Sequence, residues 1–219
     1  AQYRGMYGDR IRVSINGAKI SGAGPNAMDA PLHYAPVAIL ESLTINRGIA
    51  SVSSGQETIG GFVEAQTYAG EYGFSGDFEF SGRTYFGAQS INSGTVASGF
   101  FALANRNHIL RSFVMQEKAD DLEIPDGEIT PSEYDRERYD LGYSYRNGDH
   151  EFSLDFARNN TKDAGTASLP MDIAAIDSDL FRSRYTWEGN DRNFTAEFSA
   201  SDNEHLMTNY HLRRPPQDN

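Results

Sequence analysis

The sequence predicts a mainly β chain, in which about seven strands of an antiparallel transmembrane β-barrel follow a small mixed α/β unit. Three observations predict it. The 219 residues are 38% hydrophobic yet 12% aromatic, with 13 Phe, 12 Tyr and 21 Gly, too aromatic for disorder and too glycine-rich for a helical bundle. From about Phe74 onward aromatic and polar residues alternate with period two, as in Phe152, Leu154 and Phe156 against Glu151, Ser153 and Asp155. Connections also alternate in length. Short turns near residues 106, 148 and 190 are separated by longer acidic segments at 119–135 and 159–178. A barrel with tight periplasmic turns and long external loops has this layout, and a soluble antiparallel sandwich shares the alternation without needing it.

Residues 1–70 are read as one domain and 71–219 as another. In the first, Ile11-Arg12-Val13-Ser14-Ile15 alternates as a short strand and Asn16-Gly17 signals a tight turn. Ser21 through Asn26 reads as a loop, Pro36 through Leu43 as a short helical turn, and Ser42 through Ile45 as a further strand. In the second, strands are expected at 74–87, 95–104, 108–118, 136–146, 150–158, 179–188 and 192–203. Tyr143, Tyr145, Phe152, Leu154 and Phe156 should share a lipid-facing side.

Charge and motifs remove several function classes. Nineteen Lys and Arg against 31 Asp and Glu leave a net charge of −12, so no nucleic-acid partner is expected. Without cysteine there is no disulfide, thiolate zinc site or cysteine nucleophile. No serine elbow, phosphate loop or His-Glu-x-x-His motif occurs, and no enzyme is expected. Asp120-Asp121 reads as a solvated acidic loop.

Arg4-Gly5 through Asn16-Gly17, followed by Glu41-Ser42-Leu43-Thr44-Ile45-Asn46-Arg47-Gly48, Ser51-Val52, Gly55 and Ile59-Gly60-Gly61, resembles the two plug signatures of TonB-dependent outer-membrane receptors. Ile49 stands where proline is usual, and Ser54 where an aromatic is common. The resemblance implies a plug in the barrel lumen, localisation in the bacterial outer membrane, contact with lipid, and import of a metal ion or metal chelate driven by TonB. TonB would act through a segment not present in this chain. It also implies an earlier plug portion and about fifteen further strands. Glu41 and Arg47 are candidate plug charges for wall glutamates such as Glu79, Glu151 and Glu197.

Three of the five methionines lie in polar settings: Met28, Met171 in Leu169-Pro170-Met171-Asp172, and Met207 in His205-Leu206-Met207. Thioether and imidazole are soft donors suited to Cu(I), and His-x-Met in an extended strand puts both on one face. The set resembles the copper-receptor branch of the family, which pairs a plug Cys-x-x-x-Met with a barrel methionine and a His-x-Met. That resemblance makes Met28, Met171, His205 and Met207 the candidate metal ligands, with Gly24 in the cysteine position. Copper is then a transported ligand, and no cofactor is required. The same residues also read as loop packing at a barrel rim. A siderophore receptor remains an alternative through Tyr34, Arg213 and Arg214, as do a passive barrel and a soluble binding module.

Overall fold

The computed structural model describes residues 2–3, 6–7, 10–20, 31–49 and 58–213. Met28, Gly24, the loop at 21–26, Ser51 to Gly55 and Arg214 lie outside the described residues. The chain divides into two compact units, Ala1–Ala69 and Gly70–Asn219.

In the first unit, β1 (Gln2–Tyr3) pairs with β2 (Met6–Tyr7). A mixed sheet has the order β4-β3-β6-β5, made from β3 (Arg12–Ile15), β4 (Ala18–Lys19), β5 (Leu40–Arg47) and β6 (Gly61–Thr67). Asn16 and Gly17 both take positive φ, the conformation an Asn-Gly hairpin turn requires. The turn is tied to β6 because Thr67 N donates to Asn16 Oδ1 at 2.9 Å and Gly17 N donates to Glu64 Oε1 at 2.6 Å. Ile11, Val13 and Val63 form an apolar cluster with Leu32 packed on it. Helical structure in the described part of this unit is 3₁₀ and includes Pro31–Tyr34 and Val37–Ile39. The helical turn expected at 36–43 therefore closes after one turn. Leu40 is already extended, and the alternating run from Ser42 to Ile45 gains a full ladder against β6 instead.

The second unit is a seven-stranded antiparallel meander: β7 (Glu79–Gln89), β8 (Gly94–Ala104), β9 (His108–Ala119), β12 (Tyr134–Asn147), β13 (His150–Ala164), β14 (Asp172–Glu188) and β15 (Asn193–Thr208). A small hairpin, β10 (Leu122–Ile124) with β11 (Gly127–Ile129), rises between β9 and β12. The short turns fall where the sequence predicts them. The long segments do not stay irregular. β13 runs to Ala164 and β14 starts at Asp172, so the connection expected at 159–178 shrinks to 165–171. Polar composition hides these strand ends: Asn159, Thr161, Ile176 and Ser178 are all buried on one parity and pair across the two strands. β15 likewise extends past 203 and takes in His205 and Met207.

Register sorts the two faces of this sheet. Leu103, Leu110, Tyr143 and Leu154 lie side by side on adjacent strands, as do Leu141, Phe156 and Phe181. Tyr143, Tyr145, Phe152 and Phe156 are 37–45% exposed. Near the short turns His108 Nδ1 lies 2.8 Å from Tyr143 Oη, and His150 Nδ1 2.8 Å from Tyr185 Oη. The opposite face sets an ion-pair network among buried apolar residues such as Ile109, Phe113 and Met115. Arg111 pairs there with Asp155, which also binds Arg182 at 2.7 Å, while Arg111 Nη1 donates to Ser144 at 2.8 Å. Arg111 reaches Asp155 across Gly142 of the intervening strand. A Cβ there would sit 2.5 Å from Arg111 Nε, so glycine is what lets the pair form.

Candidate functional site

The open end of the β14–β15 hairpin collects the soft donors. His205 pairs with Ile176 and Met207 with Ile173, with a bulge between Ile173 and Ala175. The bulge inserts Ala174 and so restores both isoleucines to the face shared by His205 and Met207. Two residues apart on an extended strand, those two side chains stand about 7 Å apart along the strand. Ile176 and Ile173 are buried, which gives the corner an apolar floor. Both ring nitrogens of His205 are shielded from solvent and have no hydrogen-bond partner. An unsatisfied buried polar group costs about 1–3 kcal/mol, so this imidazole is poised for a donor or an electrophile.

Met171 stands two residues before Ile173, at the same end of the hairpin as Met207. Its carbonyl accepts a hydrogen bond from Thr166 Oγ1. The next residue, Asp172, is fully buried. Its carboxylate accepts from Thr166 N at 2.9 Å and from Arg213 Nε at 2.6 Å and Nη2 at 2.8 Å. Arg213 Nη2 also donates to the Thr166 carbonyl at 2.9 Å. His211 pairs with Asp163 close by. The structure thus brings Met171, His205 and Met207 to one hairpin end, whereas Met28 lies outside the described residues. Asp172 and Thr166 were not legible as site residues. The one signal was a threonine and an aspartate bracketing a Pro-Met turn. Among the described residues no group of three or more His, Asp or Glu is placed to hold a metal ion.

Other candidates have local explanations. Glu197 pairs with Arg184 at 3.1 Å. Tyr34, an alternative chelate-stacking residue, is fully buried, and Arg213 is committed to Asp172.

A second polar feature lies in the β9–β12 connection, where a cavity of about 500 Å³ is lined by acidic side chains including Asp120, Asp121, Glu123, Glu133 and Asp163. Asp121 Oδ1 accepts the backbone N–H groups of Ser132 and Glu133, and Leu122 N donates to Ser132 Oγ at 2.8 Å. These bonds pin both feet of the β10–β11 hairpin. Burial pushes the Glu133 carboxyl up to about 7, helped by its hydrogen bond to Asp121 and by the charges of Asp121 and Asp163. Burial also acts to raise Asp121, but the Ser132 and Glu133 hydrogen bonds outweigh it and hold that carboxyl low. Glu133 therefore favours the pinned state when protonated, and its contribution is lost as pH rises through about 7. Asp121 contributes when ionised, and its share is lost as pH falls below the ordinary carboxylate range. Amide exchange at Leu122 and Ser132, corrected for intrinsic rates, should speed up as pH rises from 4.5 to about 7, and Glu133→Gln should flatten that dependence.

Comparisons with known proteins bear on the fold. Residues 1–62 match the family model of the TonB-dependent Receptor Plug Domain. The copper transporter OprC superposes with a TM-score of 0.89 at 24% identity, over 97% of this chain and 33% of that one. The ferric enterobactin receptor PfeA, solved with BCV-L6, gives 0.60 at 12% identity, over 89% of this chain and 33% of that one. The siderophore receptor PirA from Pseudomonas aeruginosa gives 0.57 at 15% identity, over 94% and 35%. At these identities the likeness establishes the fold. The chain spans about one third of the length of these structures. No curated protein matches the sequence.

Proposed function

Taking this chain as the plug segment and first barrel strands of a TonB-dependent receptor, we propose that the whole protein is an outer-membrane transporter, not an enzyme, and that it imports a soft metal ion, Cu(I). Met171, His205 and Met207 are its barrel-side ligands and Met28 its plug-side ligand. The observation that carries this reading is His205, whose two ring nitrogens are shielded and unpartnered beside Met207 on the same face. Neutral imidazole and two thioethers form a soft set, which suits Cu(I) better than a hard divalent ion. Gly24 in place of a thiolate leaves the site without its strongest class of donor.

TonB would pull on the plug from the periplasmic side and open a path for the bound ion. The exposed aromatic face of the sheet supports contact with outer-membrane lipid. The acidic mouth would raise the local concentration of any cation without selecting copper. A siderophore has support in the likeness to PfeA and PirA, although Tyr34 and Arg213 are already used internally. The test is the metal content of the full-length receptor purified from cells grown with copper, zinc or iron. Near-stoichiometric copper supports the reading, and iron chelate in its place overturns it.

A further inference from the structure

Met171 lies in a seven-residue connection whose shape is governed by one carboxylate. Asp172 is fully buried, and an ionised carboxylate in that position needs every acceptor site met. Thr166 N fills one, and Arg213 fills two with the parallel geometry of a guanidinium fork. Arg213 also binds the Thr166 carbonyl, and Thr166 Oγ1 holds the carbonyl of Met171. Arg213 lies six residues beyond Met207. The chain leaving β15 therefore folds back onto the connection that leads into β14. That ion pair joins the segment bearing Met171 to the segment bearing His205 and Met207.

We propose that Arg213 is a positioning residue which, through Asp172 and Thr166, holds the Met171 thioether donor at the His205–Met207 corner. This rests on the soft-metal reading of that corner. Thioethers are weak ligands on flexible side chains, so their contribution depends on how far the backbone pre-sets them. A guanidinium fork fixes that backbone in two directions, whereas a lysine supplies a point charge without the second bond.

The experiment uses the full-length receptor and Cu(I) alone, with affinity measured by competition against a coloured Cu(I) chelator. Folding is read separately from heat-modifiable gel mobility. Arg213→Gln should weaken Cu(I) binding about tenfold, as loss of an outer-shell partner commonly does, with stoichiometry and maximal uptake rate unchanged. Arg213→Lys should fold and recover part of the loss. The decisive arm is a double-mutant cycle with Met171→Ala. If Arg213 acts through Met171, adding Arg213→Gln to Met171→Ala should cost little more. Additive losses would overturn the positioning role, as would unchanged affinity in both Arg213 variants while His205→Ala loses binding; in either case the metal site itself stands. Wild-type receptor that takes no Cu(I) would instead overturn the site and the inference together. Should Arg213→Gln not fold, Arg213→Lys in the same cycle decides the matter.

Discussion

Replacing His205 with alanine is expected to weaken Cu(I) binding by about 100-fold or more while the receptor still assembles in the membrane. The magnitude follows from losing a direct donor, where even an outer-shell partner is worth about 10–100-fold. Assembly should survive because both imidazole nitrogens lack hydrogen-bond partners, so their removal breaks no internal bond and removes an unsatisfied polar group. A packing residue would show the reverse, with loss of stability and no change in metal affinity. Copper titration and heat-modifiable gel mobility on the same preparation separate the two. Met207→Ala should follow the same direction with a smaller loss, since a thioether is the weaker donor.

Leu154→Arg is expected to destabilise the folded barrel by about 2–4 kcal/mol, the cost of a cation facing lipid near the bilayer midplane. Leu154 lies beside Tyr143, midway along the outward parity of β13, which runs from His150 at the short turn to Arg158, paired there with Asp179. From Tyr139 to Tyr145 the apolar parity of β12 runs about 20 Å along the strand, which a tilt of about 35–45° turns into about 15 Å of a barrel's apolar band. Tyr185→Arg, beside the short turns, should cost about 0–1 kcal/mol, because arginine there reaches the interface. Equilibrium unfolding of the full-length receptor in lipid vesicles would measure both. Equal costs at the two positions would mean that the aromatic face does not meet a bilayer.

Much of the second unit was legible because a barrel strand writes its two environments into alternate residues. Tyr143 and Phe152 could be assigned to one face, and the turns at 105–107, 147–148 and 189–191 located, without coordinates. Strand ends were harder. Asn159, Thr161 and Ser178 belong to strands that rise beyond an apolar band, where polar side chains occupy both faces and alternation fades from view. In the first unit, Asn16-Gly17 announced its turn directly. Pro36 to Leu43 misled because one 3₁₀ turn and the start of a helix look alike over so few residues.

The candidate site divides along the same line. His205-Leu206-Met207 specified by itself that a histidine and a methionine share one face, since strand geometry has period two whatever surrounds it. Met171 could be placed at the same end by counting strands. What the tertiary structure alone decided was register and closure. The bulge at Ala174 sets Ile173 and Ile176 opposite the two donors, and a one-residue slip would have turned them away. Arg213 and Asp172 are 41 residues apart, and neither carries a local mark of the other. Their pairing exists because β15 ends where β14 begins, a consequence of hydrogen-bond register along the whole hairpin that no short motif contains.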